Sequence, residues 1–164
     1  MVKKIVLVLV ILLVAVQFVP QSVFPRTNLP VDETKTRAVR ARALTPQVGG
    51  ILLHSCNNCH SSQTIWPWYS KVAPVSWLLS DDVVSGRREL SFSDWASYNS
   101  QRAAQKLQTI CEEVRGGDMP PWYYTPLHSG SKLSDSQRQA VCGWTTAERA
   151  ALGAPASPAA APRP

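Results

Sequence analysis

Methionine, histidine and cysteine are scarce in this chain of 164 residues, which has two, three and four of them. Metal chemistry must therefore be built from a short set of donors. The cysteines are too scattered for a structural zinc site: Cys56 and Cys59 form one pair, while Cys111 and Cys142 stand singly, and zinc ordinarily takes a second ligand pair at knuckle spacing. Net charge is missing where a nucleic-acid binder would need it. The formal charge is +6, yet residues 45–162 carry nine Lys or Arg against nine Asp or Glu. The excess lies on Lys3 and Lys4, on the stretch holding Arg26, Lys35, Arg37, Arg40 and Arg42, and on Arg163. A nucleic-acid domain clusters its basic residues on the folded face, so nucleic acid is excluded as a partner. Hairpin signals are missing and there is no internal repeat, so helices carry the fold.

What is present begins with Lys3-Lys4 and an unbroken apolar run from Ile5 to Val16. This is a charged n-region followed by an h-region, somewhat short for a bilayer span of about 20 residues. No small-x-small cleavage site follows, which favours an uncleaved signal anchor over residues 1–20 above a cleaved signal peptide. A buried core helix is disfavoured because the run has no polar face. Residues 21–44 mix proline, charge and small residues without apolar periodicity and read as a flexible linker. The Pro/Ala tail, 153–164, has nothing to bury and is expected to be disordered. One domain remains, 45–152.

Four helices are predicted in it. Thr45 caps the first, with Pro46 in the first turn, and it runs into Cys56 although two glycines weaken it. The second covers Pro74 to Arg88, with Val75, Leu78, Leu79 and Val83 at helical spacing. Ser93 is expected to cap a third that reaches Val114 on the stripe Leu107, Ile110, Cys111 and Val114 and stops at Gly116-Gly117. Ser134 and Gln137 make a capping box for the fourth, which turns Val141, Trp144 and Ala147 inward.

The chemistry lies in Cys56-Asn57-Asn58-Cys59-His60. Two thiols at this spacing reach the two vinyl groups of one porphyrin edge, and the following histidine is placed to coordinate the iron. A dithiol redox pair would follow a strand in a βαβ setting, which is not seen. The second axial position separates electron carriers from ligand binders and enzymes. Apart from Met1, Met119 is the one methionine, set in the glycine- and proline-flanked loop Gly116-Gly117-Asp118-Met119-Pro120-Pro121-Trp122, where no apolar stripe surrounds it. It is the expected second ligand. His128 and His54 are its rivals. The tryptophans Trp66, Trp68, Trp77 and Trp95 either cover a porphyrin face or build the core, and both can hold. Arg87 and Arg88 are candidates for the haem propionates. Cys111 and Cys142 either form a disulfide, closing a loop of about 30 residues and contributing roughly 3 kcal/mol, or are separate small buried residues.

From Cys56 onward the chain resembles the bacterial haem-binding domain family, a set of exported c-type haem proteins. The likeness rests on Cys56-Asn57-Asn58-Cys59-His60-Ser61, Thr64-Ile65-Trp66-Pro67-Trp68-Tyr69-Ser70 and Ala73-Pro74-Val75-Ser76-Trp77. It continues through Asp82-Val83, Gly86-Arg87, Phe92-Ser93-Asp94-Trp95, Gly117-Asp118-Met119-Pro120-Pro121 and Tyr124. The Trp-Pro-Trp-Tyr block is its specific part, since a haem attachment motif alone is shared by unrelated cytochromes. The resemblance implies thioether links to Cys56 and Cys59, His60 as proximal ligand and Met119 as distal ligand. It also implies a haem domain on the outer side of a bacterial inner membrane, in the periplasm, because covalent haem attachment takes place outside the cytoplasm. Leu127-His128-Ser129-Gly130 departs from the pattern, which has a proline after the histidine; Cys111 and Cys142 are additions.

The expectation is a small all-α, cytochrome c-like domain with long loops, behind one N-terminal single-pass membrane helix. It carries one haem c and passes single electrons to an unidentified redox partner protein. The alternative is a peroxidase-like haem enzyme, or a gas or redox sensor, with an exchangeable sixth ligand; electron transfer is favoured over catalysis.

Overall fold

The N-terminal apolar run is helical. In the computed structural model, which describes residues 1–19, 26–32 and 44–153, α1 spans Val2–Ala15 and a 3₁₀ turn, Val16–Phe18, extends it. No residue of α1 is buried. Its 14 residues rise about 21 Å, short of a hydrocarbon core of roughly 30 Å. Among the described residues no helix is long and apolar enough to cross a membrane, so the expected spanning helix is not shown. The Pro/Ala tail from Ala154 onward and much of the 21–44 stretch lie outside the described residues. Residues 26–32 of that stretch are not free chain: Arg26 donates to the Ser70 carbonyl, and Asn28 donates to the Thr64 carbonyl at 2.9 Å.

The domain opens as its residue types require. The Thr45 hydroxyl accepts the Val48 N–H at 3.2 Å, and Pro46, having no N–H to leave orphaned, begins α2 (Pro46–Ile51). A π-helical turn, Leu52–Cys56, and the short α3 (Asn57–His60) carry the chain through the cysteine-histidine motif. A 3₁₀ turn, Trp68–Lys71, leads to α4 (Val75–Glu89). α5 spans Ser100–Gly116 and α6 spans Asp135–Ala151. Among the described residues there is no strand, and the chain is all-α as expected.

α5 and α6 form the main helix pair, and α2 packs on α6. Val48 and Ile51 of α2, Leu107 and Val114 of α5, and Val141 and Trp144 of α6 meet in the core, with Phe92 and Trp95 added from the α4–α5 connection. A disulfide between Cys111 and Cys142 joins α5 to α6 with the Cα atoms 4.8 Å apart, which decides the question the sequence left open. α4 stands apart from this core and packs on α3. The motif is thereby held at the seam between the α2/α5/α6 group and α4.

Three expectations change. α5 is capped by Asn99, whose side chain accepts the Arg102 N–H at 2.8 Å; Ser93 is instead buried and its hydroxyl accepts the Ser62 N–H at 2.9 Å. The buried face of α4 is Ser76, Leu79, Ser80 and Val83, while Val75 and Leu78 point outward. Ala147 is exposed and Glu148 takes the inward position on α6. The capping box of Ser134 and Gln137 forms as read.

Candidate functional site

A cavity of about 430 Å³ lies at the seam, and Cys56, Cys59, His60 and Met119 all line it. α3 and α4 form one side, α5 the other, and the loop through Met119, Pro120 and Pro121 closes it. Its apolar wall comes from Leu90, Phe92, Ile110 and Val114; its polar wall includes Asp82, Lys106 and Glu113.

His60 is aimed by the end of α4. Its Nδ1 lies 2.9 Å from the Gly86 carbonyl and 3.1 Å from the Leu90 carbonyl. Two acceptors require a donor between them, so Nδ1 carries the proton and Nε2 keeps its lone pair. Burial holds the imidazole below its ordinary pKa, opposed by those two carbonyl bonds. The His60 carbonyl accepts the Phe92 N–H at 2.8 Å, which fixes the backbone on the other side. Gly86 permits the arrangement by having no side chain: a Cβ there would sit 2.8 Å from the Cys59 carbonyl oxygen.

The two motif cysteines are free thiols. Burial pushes Cys56 up to about 12, with Cys59 adding to the effect, and pushes Cys59 up to about 11, with Asp82 adding and Arg87 opposing. Both are neutral at ordinary pH, whereas a thiol that attacks disulfides needs a depressed pKa. Among the described residues no three His, Cys, Asp or Glu are grouped to hold a metal ion by themselves.

Asn58, one of the two residues between the cysteines, ties the motif to its surroundings. Its carbonyl accepts the Thr64 hydroxyl at 2.6 Å, its Oδ1 accepts the Ile65 N–H at 3.1 Å, and its Nδ2 donates to the Tyr124 hydroxyl at 3.1 Å. Tyr124 and Tyr123 line the cavity, and the Tyr123 hydroxyl donates to Asp82 at 3.1 Å. Burial raises the Asp82 carboxyl above its ordinary value despite that hydrogen bond. Asn58 and Gly86 stand among the residues that carry the family likeness, but the sequence assigns neither of them a role.

Other expected residues lie elsewhere. His54 is exposed. His128 is off the cavity wall, with Nε2 2.8 Å from the Tyr69 hydroxyl, Nδ1 2.9 Å from the Tyr124 carbonyl, and its ring stacked on Tyr124 at 3.6 Å. Both its nitrogens are taken. None of Trp66, Trp68, Trp77 and Trp95 lines the cavity; Trp95 stacks with Phe92 in the core, and the aromatic cover comes from Phe92, Tyr123 and Tyr124. Arg87 is committed away from the cavity, to the Ser61 and Thr27 carbonyls at 2.7 Å each and to Asn28 and Thr64. Arg88 lies near Glu89 at the surface, at 3.8 Å.

The sequence profile of the haem-binding domain family matches residues 11–147. The chain belongs to that family. No curated protein and no solved structure matches it. This haem-binding domain therefore binds haem, and the cavity suits that ligand. An iron porphyrin brings four nitrogens of its own and needs only axial donors from the protein; the lone pair of His60 and the thioether of Met119 are donors of that kind on one wall and one loop. The flat macrocycle needs apolar cover, which Leu90, Phe92, Ile110 and Val114 provide.

Proposed function

We propose that this haem-binding domain is a membrane-tethered, extracytoplasmic monohaem cytochrome of the c type that transfers single electrons. The carrying observation is that Cys56, Cys59, His60 and Met119 line one cavity while the Nδ1 of His60 is locked to the carbonyls of Gly86 and Leu90. Cys56 and Cys59 would hold the haem through thioether links, and His60 and Met119 would supply the donors to its iron. Lys106, the cation on the cavity wall, takes the propionate role that Arg87 cannot. The bound iron supplies a one-electron ferric/ferrous couple. His60 and Met119 are the residues that would donate to that iron, and the imidazole of His60 is held in place by the Gly86 and Leu90 carbonyls. The apolar wall excludes water, and the proton on Nδ1 is kept in place by two carbonyls.

Residues 1–19 serve as export signal and tether. The run has no polar face, none of α1 is buried, and a cysteine pair made for thioethers belongs in a compartment where haem is attached outside the cytoplasm. The fit of the donors favours electron transfer over the peroxidase-like or sensor reading, because neither His54 nor His128 lines the cavity as a distal base. The test is expression in a host that matures c-type cytochromes. The expected product is red, has a mass increased by one haem that survives acidic acetone extraction, and shows the weak red charge-transfer band of thioether-ligated ferric haem. A colourless protein at the mass of the bare polypeptide would refute the reading.

A further inference from the structure

The loop that brings Met119 to the cavity is tied at its two ends. At the start, Gly117 turns out of α5 at φ 83°, and the Glu113 carbonyl accepts the Asp118 N–H at 3.0 Å and the Met119 N–H at 3.3 Å. At the far end Tyr124 is buried, its N–H donates to the Pro121 carbonyl at 3.0 Å, and its hydroxyl accepts from the Asn58 amide at 3.1 Å. Between those ends the backbone has little to offer. Pro120 and Pro121 have no N–H, so after Met119 the main chain carries no donor until Trp122. Met119 itself is 38% exposed, so packing covers only part of it.

The wall facing this loop is α4, and a side chain of the loop reaches it. The Tyr123 hydroxyl donates to Oδ1 of Asp82 at 3.1 Å. Both residues line the cavity together with Cys59 and Met119. Burial, then Asp82 and Cys59, hold the Tyr123 phenol above its ordinary value, which keeps the hydroxyl proton in place as a donor. The acceptor is also well placed on its helix. Asp82, Gly86 and Leu90 follow one another at intervals of four residues and so share one face of α4, and all three line the cavity. The carbonyls of Gly86 and Leu90 hold the imidazole of His60.

We infer that the hydrogen bond from Tyr123 to Asp82 latches the Met119 loop to α4, making Tyr123 and Asp82 positioning residues that keep the Met119 thioether at the haem site. This rests on the reading of Met119 as a donor to the iron and adds what holds it there. One face of α4 then registers the two donor residues against each other, His60 through Gly86 and Leu90, and Met119 through Asp82. With the latch undone, the loop stays tied at both ends and is free to lift between them, which admits a small outside ligand.

The test titrates the full haem-loaded chain, in its ferric state, with imidazole, which has to displace the thioether to bind. The red charge-transfer band reports Met119, the midpoint of the titration reports the affinity, and the limiting rate at saturating imidazole reports opening of the loop. Tyr123→Phe should retain the fold by urea unfolding and bind imidazole about tenfold more tightly, equivalent to about 1.4 kcal/mol, with a faster limiting rate. Asp82→Ala should do the same, whereas Asp82→Asn, which keeps an acceptor oxygen, should stay close to the parent chain. Tyr123→Phe combined with Asp82→Ala should match either change alone, because one bond can be lost only once. Trp122→Phe, at an exposed neighbour off the cavity wall, should leave the titration as it was. A parent chain that shows the band while Tyr123→Phe binds imidazole no more tightly, or a double variant in which the two effects add, overturns the inference and leaves Met119 standing. A parent chain without the band overturns both.

Discussion

Replacing Gly86 by alanine tests how His60 is aimed. In a helix interior this change ordinarily stabilises, by about 1 kcal/mol. Here the new Cβ would lie 2.8 Å from the Cys59 carbonyl oxygen and 3.2 Å from the carbonyl carbon and Cβ of the same residue. Two of these are backbone atoms and the third is a Cβ fixed to the backbone, so they cannot swing aside as the far end of a flexible side chain would. Ordinary contact requires α4 and the motif to separate by about 0.6 Å at this point. The Nδ1 to Gly86 bond, now 2.9 Å, would then open to about 3.5 Å, beyond useful hydrogen-bond length. Overpacking costs about 1–3 kcal/mol and the lost bond about 0.5–1.5 kcal/mol, so the net effect is a destabilisation of about 1–3 kcal/mol, opposite in sign to helix propensity. Urea unfolding of the haem-loaded variant should show a midpoint lower by about 1 M, with a disturbed ferric spectrum. Gly143→Ala in α6 is the control: that residue is exposed, nothing lies within 4 Å of its would-be Cβ, and the change should stabilise by up to about 1 kcal/mol. Equal gains at both positions, with the Gly86 variant fully loaded, would refute the reasoning.

Met119→Ala should abolish the red charge-transfer band and let carbon monoxide bind the reduced protein rapidly; an unchanged visible spectrum would remove Met119 as a ligand. Cys111→Ala with Cys142→Ala should lower unfolding stability by roughly 3 kcal/mol through the reopened loop while leaving the haem spectrum intact. In the haem-free chain the thiols should be sluggish toward iodoacetamide: relative to the ordinary thiol value of 9.0, about 11 at Cys59 and about 12 at Cys56 reduce the thiolate fraction near pH 8 roughly a hundredfold and a thousandfold. The sign for stability follows from the same shifts. Above pH 9 the unfolded chain gives up these protons before the folded one does, so the haem-free protein should lose stability as pH rises from 9 toward 11–12, whereas the loaded protein, with no thiols there to titrate, should not show that loss.

The parts of the fold that local chemistry writes were legible. Thr45-Pro46, the Ser134 capping box and Gly117, at φ 83°, mark helix ends through their own side chains or lack of one. The α4 face was misread because hydrophobic spacing points to Val75 and Leu78, whereas the buried stripe is half serine: Ser76 and Ser80 pack inward beside Leu79 and Val83. The start of α5 was misplaced because Ser93 is also a good capping residue. Its hydroxyl is drawn off by Ser62, and Tyr98 receives the Ser91 N–H at 2.9 Å, which keeps the intervening residues out of the helix. At the site the motif was readable because all its residues are consecutive. Gly86 and Asn58 were not, since their roles come from segments that meet only on folding.

Arg87 has a mechanical consequence. One guanidinium grips the Thr27 carbonyl at 2.7 Å and Asn28 at 3.1 Å, and through Nε the Ser61 carbonyl at 2.7 Å, one residue past His60. The segment arriving from the N-terminal helix is thus moored to the loop that follows His60. Tension on that leash, or a proteolytic cut through it, would be felt beside His60 as lost support, and not as damage to an idle spacer.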